Sequence, residues 1–244
     1  MSTDRRDLSE FYNQAWRQWD DMVRFSPAPR FRRRMLLSWM KELRLDSLLD
    51  VGCGNGVFLW QAARQLGVRE LAGADISSMV IEANRRGGSD IAFHVLDLNQ
   101  EVLPRRFDAV VCMELVEHCL DYRDAISRLA EMTGKWLLLS VPCGPVFPID
   151  MMVGHVRHFT PKDIESALVE AGLRPLKIQQ WGFPFFNLYK HLINLSPQRM
   201  CDSFLGQGSY GPWQKIVSAL VYYSFFMCLP ARGYQLLAMA ERRG

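Results

Sequence analysis

From residue 47 the chain alternates short, almost unbroken apolar runs with longer stretches in which apolar residues recur every three or four positions. The runs at 47–51, 70–75, 91–96, 107–113 and 135–141 read as buried strands, and the stretches at 57–67, 78–88 and 122–132 read as helices. Such alternation predicts βαβ units and a parallel sheet with helices on both faces, an α/β fold. A further helix opens at Thr160-Pro161-Lys162-Asp163, with a capping hydroxyl, a proline at the first helical position and an acid three residues after the cap. It closes at Gly172, the residue type suited to a left-handed C-terminal cap. Residues 174–181 read as a sixth strand and 233–243 as a seventh. Between them, residues 182–232 form an insertion rich in aromatics and prolines. Ahead of the sheet, residues 1–46 read as two helices separated at 26–29 by Ser-Pro-Ala-Pro.

Composition narrows the picture. With 244 residues, 49% of them apolar, the chain can bury a core of its own as one elaborated domain. Its 29 basic and 26 acidic residues leave a net charge of +3, too even for wholesale binding to a phosphate backbone, so no DNA partner is expected. The six cysteines form no C-x-x-C pair, which fits a reducing compartment rather than a structural zinc site. The N-terminus lacks the apolar core of a signal peptide, and a cytoplasmic location follows as the expectation. The uncharged run at 216–229 would span roughly 21 Å as a helix against a hydrocarbon core of about 30 Å, so it is not expected to cross a bilayer.

The chemistry starts at LLDVGCGNGVF, residues 48–58, where Gly52, Gly54 and Gly56 sit at the turn from the first strand into the first helix. Unpaired backbone N–H groups at a helix start, beside residues without side chains, let a ligand approach the main chain. The spacing breaks the dinucleotide pattern, because Val57 stands where glycine or alanine is needed. Asp75 ends the second strand in the crevice where such sheets bind ligands, and a carboxylate there accepts hydrogen bonds from a ribose diol. Asp97 ends the third strand in the same way, placed for the exocyclic amine of an adenine with Leu98 against the ring, with an Asx turn as the alternative.

LLDVGCGNG, GADIS, VLDLN and FDAVVCMELVEH, in this order and spacing, resemble the motifs of class I S-adenosylmethionine-dependent methyltransferases over residues 45–181 and 233–243. The resemblance implies a Rossmann-like seven-stranded sheet of order 3-2-1-4-5-7-6 with the last strand antiparallel. It implies a cofactor, S-adenosylmethionine, with S-adenosylhomocysteine as product. Gly52, Cys53, Gly54, Asn55 and Gly56 would face its methionine end, Asp75 and Ile76 its ribose, and Asp97 and Leu98 its adenine. Asp50 would support the glycine turn, and Met113, Glu114 and Leu115 would line the cofactor after the fourth strand.

Methyl transfer needs alignment of donor and acceptor and a base for the acceptor proton. The run 113–118 resembles the ubiquinone-biosynthesis O-methyltransferases, and also the small-RNA 2′-O-methyltransferases, whose Glu-x-x-Glu-His with a later histidine holds a divalent metal. His118, Glu114, His155 and His158 are the candidate catalytic residues, and Glu114, Glu117, His118 and His155 form a less favoured metal set. Residues 1–46 would cap the cofactor through Tyr12, Trp16 and Trp19, and 182–232 would form a lid within the methyltransferase domain, 47–244. The expected activity is transfer of a methyl group to a hydroxyl, less readily an amine, of a small hydrophobic or lipid-like acceptor. The aromatics of the insertion either bury one another, wall an acceptor pocket, or dip into a bilayer while RFRRRM meets anionic headgroups as a peripheral membrane contact. Two rivals stand beside this reading: a metal-dependent RNA methyltransferase, disfavoured by the even charge, and a non-catalytic cofactor-binding subunit whose insertion mates with a partner chain.

Overall fold

In the computed structural model, which describes residues 5–204 and 209–243, the apolar runs pair into one sheet of seven strands. These are β1 (Ser47–Val51), β2 (Glu70–Asp75), β3 (Ala92–Val95), β4 (Phe107–Met113), β5 (Thr133–Pro142), β6 (Leu173–Trp181) and β7 (Gln235–Arg242), in the order β3-β2-β1-β4-β5-β7-β6. β1 lies parallel to both neighbours, with Val51 opposite Ala74 on one side and Cys112 on the other. β7 is antiparallel to β5 and β6, pairing Leu139 and Ile178 through Ala238, so β6 runs with the parallel strands. The carboxyl ends of β1, β2, β4 and β5 therefore open on one edge, the crevice where sheets of this type take ligands.

Successive side chains on a strand point to opposite faces, and both faces are covered. Leu49, Val110 and Leu137 pack with Ile126 and Leu129 of α5 (Tyr122–Met132) and Ile164 of α7 (Pro161–Glu170). Leu48, Val111 and Leu138 pack with Phe58 and Leu59 of α3 (Val57–Leu66), Ile81 of α4 (Ser78–Arg86) and Leu36 and Met40 of α2 (Pro27–Met40). The capping predicted at Thr160 is present: its hydroxyl accepts from the Asp163 N–H at 3.3 Å and the Asp163 carboxylate accepts from the Thr160 N–H at 2.8 Å.

Some boundaries differ from those read in the sequence. The 26–29 stretch is not a linker. Only Ser26 interrupts α1 (Arg5–Phe25) and α2, because Pro27 occupies the first helical position, where its missing N–H costs nothing. β5 begins at Thr133 rather than 135, since α5 ends in an extended Thr133 that enters the sheet without a loop. β3 and β7 are each shorter at both ends than predicted.

The insertion folds as α8 (Phe185–Ile193), α9 (Pro197–Phe204) and α10 (Pro212–Ser224), followed by a 3-10 turn, Phe225–Met227. It is anchored by an aromatic cluster: Trp181 stacks on Phe31 of α2 at 4.5 Å between ring centres, and Phe225 packs edge-on against Phe31, Trp181, Phe186 and Tyr189. Trp181, Phe186 and Phe225 are buried, whereas Phe183, Trp213, Tyr223 and Phe226 are exposed. Self-burial thus accounts for only part of the insertion's aromatics. Among the described residues no helix is long and apolar enough to cross a membrane.

Candidate active site

The turn after β1 is held by β2. Gly52 and Cys53 donate to the Ala74 carbonyl at 2.8 and 3.0 Å, and the Asp75 carboxylate accepts from the Gly54 N–H and the Ser77 N–H, each at 2.9 Å. Burial pushes the Asp75 acid up, opposed by these N–H donors. Asp50, two residues before the turn, is fully buried, and neither of its oxygens has a hydrogen-bond partner among the described residues. Burial and the neighbouring Asp75 carboxylate raise its pKa to about 8, against the pull of the Arg33 guanidinium.

Arg33 is itself buried, donating to the Val23 and Arg24 carbonyls and to Gln61 Oε1, and burial followed by Arg32 and Arg30 lowers it to about 10. A buried cation and an unpartnered carboxylate therefore flank the glycine turn. They suit a zwitterionic amino-acid end, the carboxylate toward Arg33 and the ammonium toward Asp50.

α1 lies across this turn. Asn13 Oδ1 accepts from the Ser77 hydroxyl at 2.7 Å, Asn55 Nδ2 donates to Asp20 Oδ1 at 2.7 Å, and Tyr12 meets the His118 ring edge-on at 6.3 Å. Beneath it a cavity of about 550 Å³ runs from β2 and β3 to the insertion. Of the residues read as cofactor contacts, Asp50, Gly52, Cys53, Asn55, Asp75 and Ile76 line it. So do Asp97, Leu98, Met113 and Glu114, whereas Gly54 and Gly56 lie in the turn behind. Asp97 also makes the Asx turn weighed as its alternative, accepting from Asn99 N–H at 3.0 Å and Gln100 Nε2 at 2.9 Å.

The four candidate catalytic residues separate into two groups. Glu114 takes left-handed backbone, φ +50°, and is clamped by the Ser140 hydroxyl at 2.9 Å, Gln235 Nε2 at 2.8 Å and Arg32 at 3.4 Å. It is not among the groups whose ligand atoms converge. Those groups are Glu117, His118 and His155, and Asp150, His155 and His158, each with ligand atoms within 4.8 Å of one another. Three residues of the less favoured metal set, Glu117, His118 and His155, thus converge; Glu114 is held by Ser140, Gln235 and Arg32, and Asp150, from α6 (Pro148–Met152), approaches His155 and His158.

Glu117 is fully buried, with no hydrogen-bond partner from another described residue, and burial followed by Glu114 pushes its acid well up. His155 contacts His158 at 3.3 Å and is lowered to about 2 by burial and then by the nearby His118. His118 Nδ1 lies 3.0 Å from the Gly154 carbonyl, which can only accept, so Nδ1 carries the proton and Nε2 the lone pair. Burial lowers its pKa and keeps the ring neutral. His118, His155 and Asp150 line the cavity, while Glu117 and His158 support them from behind.

Arg32, Arg33, Asp150, Lys190 and Gln235 were not singled out as site residues in the sequence. The basic run was visible, but its pattern does not tell inward from outward: Arg32 and Arg33 turn toward the cavity, and only Arg34 of the run's three consecutive arginines is exposed. Lys190 pairs with Asp150 across the gap between α8 and α6.

A family described as a methyltransferase domain matches residues 9–178. Among curated proteins, the ubiquinone biosynthesis O-methyltransferase of Leptothrix cholodnii is 30% identical over 57% of this chain, which spans 64% of that relative. The one of Proteus mirabilis is 26% identical over 83% of this chain and 87% of its own length. Among solved structures, the N-methyltransferase NodS of Bradyrhizobium japonicum in complex with S-adenosyl-L-homocysteine superposes with a TM-score of 0.61 at 16% identity, covering 97% of this chain and 99% of that one. Magnesium protoporphyrin IX methyltransferase of Synechocystis with the same product bound gives 0.53 at 16% identity, over 87% and 83%. These two likenesses are of fold.

Proposed function

The chain belongs to the methyltransferase-domain family of S-adenosylmethionine-dependent enzymes, and we propose that it moves a methyl group to a hydroxyl of a small hydrophobic or lipid-like acceptor. The observation that carries this reading is the continuity of the cavity: one end is the aspartate-edged crevice, and the other is walled by Tyr189, Leu192, Val217 and Val221 of the insertion. An apolar chamber with a few placed polar groups favours an apolar acceptor whose reactive end is held at the sheet edge.

When bound, S-adenosylmethionine supplies a sulfonium methyl carbon, whose bond to sulfur breaks as the acceptor oxygen bonds to it. The residues present fit that cosubstrate, because the orphaned Asp50 carboxylate and buried Arg33 offer partners for its amino-acid end and Asp75 for its ribose. His118 Nε2 takes the acceptor proton, its ring oriented by the Gly154 carbonyl. Tyr12, Trp16 and Trp19 close over the cavity and exclude water, α1 acting as a cap and the insertion as a lid. The hydroxyl preference is supported by the hydroxyl chemistry named for the curated relatives.

A second reading is favoured by the buried Glu117, whose oxygens have no hydrogen-bond partner among the described residues: with His118 and His155 it forms a mixed oxygen and nitrogen donor set for a divalent cation, which would bind the acceptor oxygen and lower its pKa. Transfer of labelled methyl to alkyl-substituted phenols and to ribonucleosides, with and without a chelator, tests both. Turnover of the phenols that survives chelation supports the first reading and its loss the second. Turnover confined to nucleosides overturns the acceptor class, and donor binding without any turnover makes the chain a non-catalytic subunit.

A further inference from the structure

α10 is apolar on two sides. Val217 and Val221 face the cavity, while Trp213, Ile216, Leu220 and Tyr223 recur at three- and four-residue steps and point into solvent. Their relative exposures are 71%, 51%, 66% and 65%, and Met227 in the following turn extends the stripe at 58%. At 1.5 Å per residue the stripe runs roughly 20 Å, a large apolar face left exposed among the described residues.

The charge around it is predominantly basic, with Asp21 of α1 the acid that reaches it, 3.9 Å from Lys215. No acid lies between Asp202 and Glu241, nor between Asp21 and Glu42, the two segments that make this surface. Arg30 and Arg34 stand one helical turn apart on α2, with their guanidinium groups 4.1 Å over the Tyr222 ring and 4.5 Å over the Phe226 ring. Lys215 of α10 is exposed as well, over the Phe25 ring at 4.4 Å and paired with Asp21 at 3.9 Å. A second copy meeting this face about a two-fold axis would set like cations against each other. An anionic lipid surface satisfies both features, since apolar side chains enter the acyl boundary while arginine and lysine meet the headgroups.

We propose that the outward face of α10 and the turn after it dock on an anionic lipid bilayer. Leu192, which lines the cavity and is 54% exposed, lies on α8 in the same insertion, so docking brings the cavity's apolar wall close to the membrane. The proposal stands on this surface and not on the methyl-transfer reading, and its test reads lipid binding alone.

The whole chain is sedimented with vesicles of mixed phosphatidylglycerol and phosphatidylcholine, and with vesicles of phosphatidylcholine alone. Binding is expected to the mixed vesicles and to weaken with salt. Trp213→Ser with Leu220→Ser should reduce it at least tenfold, and Arg34→Gln with Lys215→Gln about fivefold per cation removed. The charge pair is the independent variant should the serine pair misfold. All four side chains are exposed, and the Lys215–Asp21 pair and the Arg34–Phe226 contact are surface interactions, so each variant should keep a melting midpoint near that of the wild type. Failure to bind either vesicle, binding unchanged in both folded variants, or a dimer in equilibrium ultracentrifugation that the same substitutions dissolve would overturn the proposal, the last in favour of a second copy.

Discussion

The indole of Trp16 rests on the backbone of Gly54: a Cβ atom on that glycine would lie 2.0 Å from Trp16 Cη2. Gly54 also has φ +49° and donates its N–H to Asp75, so one residue joins the α1 cap, the turn and the crevice acid. Gly54→Ala must shift the indole and strain the turn together. We expect at least tenfold weaker binding of S-adenosylmethionine by calorimetry, about 1.4 kcal/mol, and an unchanged affinity would show that cap and turn are not coupled.

The Asp75 and Asp97 carboxylates each accept hydrogen bonds on both oxygens, but only Asp75 holds the backbone of the glycine turn. Asp75→Ala removes the acceptor of two backbone N–H groups as well as the ribose partner, and should weaken donor binding by about 2 kcal/mol or more. Asp97→Ala removes a side chain already bonded to Asn99 and Gln100, and should cost donor affinity less. Equal losses in calorimetry would contradict the assignment of the ribose to Asp75.

Asp50 gives the ligand-free protein a pH signature. Its acid is raised to about 8, so between about pH 4 and 8 the folded state keeps a proton that the unfolded chain has released. This group therefore makes stability fall as pH rises through that window, by at most about 1.4 kcal/mol per pH unit. Urea midpoints should show Asp50→Asn gaining on the wild type from pH 5 to pH 8. A constant difference would mean that Asp50 is ionised throughout.

If Nε2 takes the acceptor proton, as proposed, His118→Gln should lower kcat by about 10²- to 10⁴-fold while leaving donor affinity intact. His155→Gln is the comparison: it contacts His118 ring to ring at 4.9 Å and should show a smaller loss if His118 alone is the base. Normal turnover of His118→Gln would end this assignment.

Phe225→Ala tests the anchoring of the insertion. The ring is fully buried among Phe31, Trp181, Phe186 and Tyr189, and its removal should destabilise the fold by about 3–5 kcal/mol in denaturant melts. A cost near that of a surface change would mean that the insertion folds independently of α2.

The strand and helix periods, the glycine turn and the acids at or just beyond the ends of β1, β2 and β3 were legible in the chain, because they are local: each depends on a few adjacent residues and on the constraint that buried backbone groups pair. The sheet order was reached through resemblance to a family, and the structure has the same order. What separated Glu114 from Glu117, three positions on, was not local. The left-handed turn at Glu114 sends its carboxylate to Arg32, Ser140 and Gln235, whereas Glu117 enters the histidine cluster with Asp150 behind it. Likewise, of Arg30, Arg32, Arg33 and Arg34, sequence shows four cations on one helix, and only the packing of α2 between α10 and α3 turns Arg32 and Arg33 inward and sets Arg30 and Arg34 on the outer aromatic rings. Residue spacing determines which groups share a helix or strand. Which of them lose their water, and which charges they then meet, is decided by segments distant in the chain, and it is that desolvation which sets their chemistry.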